Sequence, residues 1–208
     1  MKVHELRSIQ DRIRWALSAV SAHTGENWTQ SHTFENGEEH RYHVHGIKSL
    51  TQLEDELLNA FVWVWAMKDY LKAEARLRGK DPRQIEQIAN GSMPLLLVSD
   101  VANGIKHGSL DNSRSGHFAT IGGVGVSMPQ ESIASISFGA FDVTTQIERP
   151  EQAEFKADVV AAEGNVLGSA HQVLQDAIEA WERDALAYLS VAQPAAEPDG
   201  PTCSGPAG

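Results

Sequence analysis

At 208 residues, 41% of them hydrophobic, the chain is long enough to fold around its own core without staples, and it contains no run apolar enough to span a membrane. A formal net charge of −11 opposes phosphate backbones and anionic membrane surfaces, which leaves nucleic-acid binding only to a local basic patch. The one cysteine, Cys203, excludes an internal disulfide and a thiolate zinc cluster; with an amino terminus that mixes charge into every turn, this predicts a cytoplasmic protein in a reducing compartment.

In chain order, Val3, Leu6, Ile9, Ile13, Leu17 and Val20 recur at three or four and predict an amphipathic helix over 3–22. Its polar side interleaves Lys2, Arg7, Arg12 and Arg14 with Glu5 and Asp11, the pattern of a solvated face and the best local candidate for a basic patch. Residues 21–46 are polar, histidine-rich and punctuated by Gly25, Gly37 and Gly46, which reads as a long loop or loose hairpin. A second helix, 50–78, begins near Ser49 or Thr51, where Thr51 and Glu54 make a capping-box pattern, and ends at Gly79. The segment Phe61-Val-Trp-Val-Trp65 has strand propensity but sits between helix formers and continues the helix.

Asp81-Pro82 starts a short helix over 82–89, and Ser92 starts another over 93–107 that stops before Gly108. Beyond it the period changes to two. Phe141, Val143, Thr145 and Ile147 alternate with polar residues, as do Phe155, Ala157 and Val159, so a small antiparallel sheet is expected over 117–163, with Glu148 to Glu151 as a turn. A terminal helix over 169–191 carries Val173, Leu174, Ala177, Ile178, Trp181, Ala185 and Leu189, and the Pro/Gly-rich stretch 193–208 reads as a disordered tail. The expected fold class is α+β, mostly α: a helical bundle with a small antiparallel sheet ahead of the last helix, in one domain over 1–192.

Four groupings invite a chemical reading. Asp100, Asn103 and His107 are spaced three and four apart and share one helical face, where a carboxylate, an amide and an imidazole are suited to acid/base work; the alternative is a solvated face whose Lys106 and His107 complement the helix carboxyl end. His40, His43 and His45, near His32, Glu38 and Glu39, resemble metal ligands, but only His43 and His45 share a face of a strand, and no metal or cofactor is expected. The run Ile121-Gly-Gly-Val-Gly-Val126 lacks the Gly-Lys-Ser/Thr of a phosphate loop and reads as a strand. Asp111, Ser115 and His117 hold the elements of a hydrolase triad, which only geometry can establish.

An Asn followed four residues later by His, late in a set of helices, resembles the HEPN superfamily of bacterial helical proteins, many of them RNases of toxin and phage-defence systems. The resemblance covers residues 49–107 and carries over Asn103 and His107 alone, because Ala102 stands where the family's Arg precedes the Asn. It implies a non-catalytic, HEPN-like interaction or scaffold module, with an RNase using Asn103 and His107 as the alternative. Leu57, Leu58, Phe61, Val62 and Trp65 fill one side of the second helix, and Trp63, Met67 and Tyr70 the opposite side. That distribution predicts either a homodimer through the second helix or a helix sandwiched within the chain.

Overall fold

Half of the chain is helical because the apolar stripes read from the sequence bury one another. The structure, a computed structural model, describes residues 4–191. The expected helix start at Val3, the tail 193–208 and Cys203 lie outside the described residues. Helix α1 (His4–Ser21) is followed by strands β1 (Trp28–Thr33) and β2 (Glu39–His45), then by helices α2 (Leu50–Leu77), α3 (Arg83–Asn90) and α4 (Met93–His107). Strands β3 (Thr120–Ser127), β4 (Ile133–Phe138), β5 (Asp142–Ile147), β6 (Glu154–Val160) and β7 (Val166–Ser169) come next. Helix α5 (Ala170–Ala180) continues through a π-helical stretch, Trp181–Leu186, into a last turn, α6 (Ala187–Ser190). Among the described residues no helix is long and apolar enough to cross a membrane.

The ends of α2 follow from local chemistry. Ser49, rather than Thr51, caps it by accepting from the Gln52 amide at 3.1 Å. At the other end Gly79 adopts φ +69°, and its N–H and that of Lys80 bond back to the carbonyls of Arg76 and Ala75, closing a Schellman turn. Between these caps Leu53, Leu57, Phe61, Val64, Leu71 and Ala75 are buried, and α2 packs against α1, α4 and α5. Trp181 is fully buried, and its Nε1 donates to the Val64 carbonyl at 3.0 Å, tying the π-helical stretch to α2.

That packing also covers the side of α2 expected to face a second copy. Met67 is 2% exposed, and Trp63 lies under the Arg12 guanidinium of α1 at 4.8 Å from its ring centre. Packing within the chain therefore buries Met67 and part of Trp63 on this side of α2, while Trp63 and Tyr70 remain partly exposed.

The expected fold class, mostly α with one small antiparallel sheet before the last helix, is corrected. Strands make up 24% of the residues and form two sheets, ordered β1-β2-β5-β4 and β3-β6-β7. The histidine-rich stretch, read as a long loop or loose hairpin, forms a hairpin of β1 and β2 that turns at Gly37 (φ +85°), and β2 pairs in parallel with β5 from Arg41 opposite Asp142 to His45 opposite Gln146. The segment 117–163 is thus divided: β4 and β5 join the hairpin, whereas β3 and β6 pair with β7, a strand that the sequence pattern did not reveal. The 148–151 turn joins strands of different sheets, so no hairpin forms there. The physical reason is that alternation fixes which face a residue takes and leaves open which strand lies beside it.

The three-stranded sheet packs on the helices, with Val159 and Ala157 in the main core. Every substantial contact of the four-stranded sheet is between its own strands. It is rooted by a small separate cluster of Ile47, Ile147 and Ala153 and by the Trp28 Nε1 bond to the Ile47 carbonyl at 3.0 Å.

Candidate functional site

Helix α4 starts with Pro94 in its first turn and stops at Gly108, which takes φ +70° and bonds back to the Gly104 carbonyl. It places Asp100 inside the protein, 1% exposed. One oxygen accepts the Arg114 amide at 2.8 Å; the other accepts the Ser113 and Ser115 hydroxyls, the latter at 2.6 Å, and the Ala119 amide at 3.4 Å. A buried carboxylate that accepts four hydrogen bonds from one stretch of chain is built to fold that loop.

Asn103 donates its side-chain N–H to the Ser99 hydroxyl at 3.3 Å, and His107 is exposed in the last turn. Seven residues of helix put Asp100 and His107 about 10 Å apart along the axis. The three predicted site residues therefore share a helix without sharing a site. Asp111 is exposed and the Ser115 hydroxyl is committed to Asp100, so the structure does not assemble the triad elements either.

The loop folded by Asp100 delivers Arg114 to the helices. Its guanidinium lies 5.2 Å from the Trp65 ring centre and donates to Glu86 at 2.7 Å and to the Asn90 side-chain oxygen, Oδ1, at 3.3 Å. Lys68 sits 4.3 Å from the Trp65 ring centre and 3.5 Å from Glu86, and Lys72 reaches Glu86 at 3.0 Å. Burial pushes the Glu86 carboxyl up, but the hydrogen bonds from Arg114 and Lys72 outweigh it and hold the group at about 2. Burial draws the Lys68 ammonium below its ordinary value. Nothing in the sequence pattern marks this basic cluster, and the best candidate read there lies on α1 instead. Glu86 meets all three cations and Asp69 lies near Lys68, so the network acts as a clamp between α2, α3 and the loop.

The largest unsatisfied surface lies on the four-stranded sheet. Residues paired across neighbouring strands share a face. The register aligns Gln30, Tyr42, Val143 and Phe138 in one row and Trp28, Val44, Thr145 and Ile136 in the next. At the outer end His32 pairs with His40, whose ring meets Phe141 edge-on at 5.9 Å and Phe34 at 4.9 Å. Exposure there is large: Phe138 78%, Phe141 52%, Ile136 48%, Phe34 42% and Tyr42 38%. No Asp, Glu, Lys or Arg stands in these rows. The reverse face is an ordinary polar one, with Ser31, Arg41 and Asp142 in one row and Thr29, His43, Thr144 and Ser137 in another.

Strand alternation also separates the histidines. His43 and His45 point to the polar face, where His43 bonds Thr29 at 2.9 Å and lies 3.5 Å from Asp142, while His40 belongs to the aromatic face. No group of three His, Cys, Asp or Glu residues among those described is placed to hold a metal ion.

Comparison with protein-family models, with curated proteins and with solved structures gives no match. The HEPN likeness thus rests on Asn103 and His107, whose surroundings are those given above. The aromatic face was not read from the sequence because 21–46, as a long loop or loose hairpin, was given no strand faces. The signal was present as Trp28, Gln30, His32 and Phe34 at every second position, answered by His40, Tyr42 and Val44.

Proposed function

We propose that this chain is a non-catalytic interaction module whose docking surface is the aromatic face of the β1-β2-β5-β4 sheet and whose partner is a protein with an uncharged apolar surface. The observation that carries the reading is five large apolar side chains, 38% to 78% exposed, gathered on one face whose two central rows hold no Asp, Glu, Lys or Arg; Glu38, opposite Phe34, stands at the hairpin end of that face. Contiguous apolar patches of this kind mark interaction sites, whereas scattered exposed apolar residues need no explanation. Nucleic-acid bases stack on aromatic platforms, but the accompanying phosphates require cations, and these rows hold none in a chain of net charge −11.

The saturation of Asp100 and the exposure of His107 on the same helix support the non-catalytic half of the reading. Its test is incubation of end-labelled single-stranded RNA with the wild type and with His107→Ala. Neither is expected to cleave. Cleavage by the wild type that His107→Ala abolishes returns the chain to the RNase alternative built on Asn103 and His107.

A further inference from the structure

We infer that the occupant of the aromatic face is a second copy of this chain, stacked sheet on sheet about a two-fold axis. The inference rests on the reading of that face as the docking surface and names its partner. Charge supports it first. Two copies of a chain with net charge −11 repel one another at long range, so self-association requires a surface that brings no like charges into contact. The rows centred on Tyr42 and Val143 are such a surface, because every side chain in them is uncharged or an imidazole. A two-fold contact sets each row against itself, and a row without ionised carboxylates or ammonium groups is complementary to its own copy.

Area supports it next. Large side chains present about 200 Å² each, so the exposed fractions of Phe34, Tyr42, Ile136, Phe138 and Phe141 leave roughly 500 Å² of apolar surface per chain. Two copies face to face cover about 1,000 Å² from these five residues alone, and the neighbouring Gln30 and Val143 carry the total toward the 1,200 Å² at which specific interfaces begin. The geometry is that of sheets packed about 10 Å apart with their aromatic rows interdigitated. The outer strands β1 and β4, Trp-Thr-Gln-Ser-His-Thr and Ile-Ala-Ser-Ile-Ser-Phe, carry none of the charges or prolines that keep exposed strands from meeting another chain. Other exposed apolar side chains, such as Trp15 and Leu77, sit on separate helices, whereas the sheet gathers five of them on one face.

The test is sedimentation velocity of the full chain over about 1 to 100 µM, with Phe138→Glu as the disrupting variant. Phe138 is 78% exposed, so the variant is expected to fold, and an unchanged far-ultraviolet circular dichroism spectrum checks this. Should it not fold, Ile136→Gln on the neighbouring row of the same face replaces it. The expected result is a wild-type mass of two chains and a dissociation constant raised at least about 100-fold in the variant, because the substitution acts twice across the axis. A single-chain mass at the highest concentration overturns the inference. So does a dimer that the variant leaves unchanged, since another surface then holds it. Single-stranded RNA that binds a single chain and is lost in Phe138→Glu also overturns it, by assigning the face to nucleic acid. Failure of the underlying reading looks different: RNA cleavage that depends on His107, whatever the mass.

Discussion

Replacing Asp100 by Ala separates a structural carboxylate from a catalytic one. The substitution removes the acceptor for the Arg114 and Ala119 amides and for two serine hydroxyls, in a site where the carboxylate is 1% exposed. Hydrogen bonds to a charged group contribute about 1.5–3 kcal/mol each, but the two hydroxyls can turn toward water once the loop loosens. The amides keep most of the penalty, since Ala119 itself is buried. The expected loss is therefore about 3–5 kcal/mol, a large fraction of the roughly 5–15 kcal/mol that holds a domain together. Asp100→Asn retains an acceptor for the Arg114 amide and should lose only about 1–2 kcal/mol. Urea unfolding measures both losses, and amide hydrogen exchange locates them: the Arg114 and Ala119 amides should exchange much faster in Asp100→Ala. A variant within about 1 kcal/mol of the wild type, with those amides still protected, would refute the account of Asp100 as the organiser of the loop.

Two further outcomes follow from the surroundings of single residues. Glu86 titrates at about 2 in the folded protein against an ordinary 4.5, so its stabilisation is complete above about pH 4.5 and is lost as pH falls toward 2; Glu86→Gln should flatten the urea midpoint over that window, and an unchanged acid limb would count against the clamp. Gly46 has φ +90° and a Cβ added there would lie 2.3 Å from the Ile147 carbonyl oxygen, so Gly46→Ala should cost at least about 2 kcal/mol and lower the thermal midpoint, whereas an unaltered midpoint would contradict the tight approach of the sheet's root.

The helices were legible because each buries a stripe that repeats at 3.6 residues. Ile9, Ile13, Leu57, Phe61, Val98, Leu174 and Trp181 all fall on predicted stripes and all lie in one core. Caps were legible where a single residue type decides them, as Gly79 and Gly108 do. The sheets were not, because pairing partners lie far apart in sequence: β2 meets β5 about a hundred residues later, and nothing in Glu-His-Arg-Tyr-His-Val-His announces Asp142 to Gln146 as its neighbour. The surroundings of the candidate site were hidden from the sequence for a related reason. Helical spacing correctly put Asp100, Asn103 and His107 on one helix, but their environments depend on a loop, 113–119, whose course the spacing does not contain.

That loop also explains how the polar groups and the apolar sheet divide the chain between them. Asp100 fixes the backbone of 113–119, Arg114 carries that constraint to Glu86 and Trp65, and the three-helix junction becomes rigid without presenting a reactive group. The four-stranded sheet is in the opposite condition. Its backbone is fully paired in the interior and anchored at Gly46, Ile47 and Ile147, yet its aromatic rows have no helix above them. A sheet that is polar on one face and apolar on the other is stable when its apolar face is covered. Helices α1, α4 and α5 pack on α2, whereas no helix makes a substantial contact with the four-stranded sheet. On the reading proposed above, this exposed aromatic area is a property of the chain taken alone, and a second copy docked on Tyr42, Phe138 and Phe141 covers it.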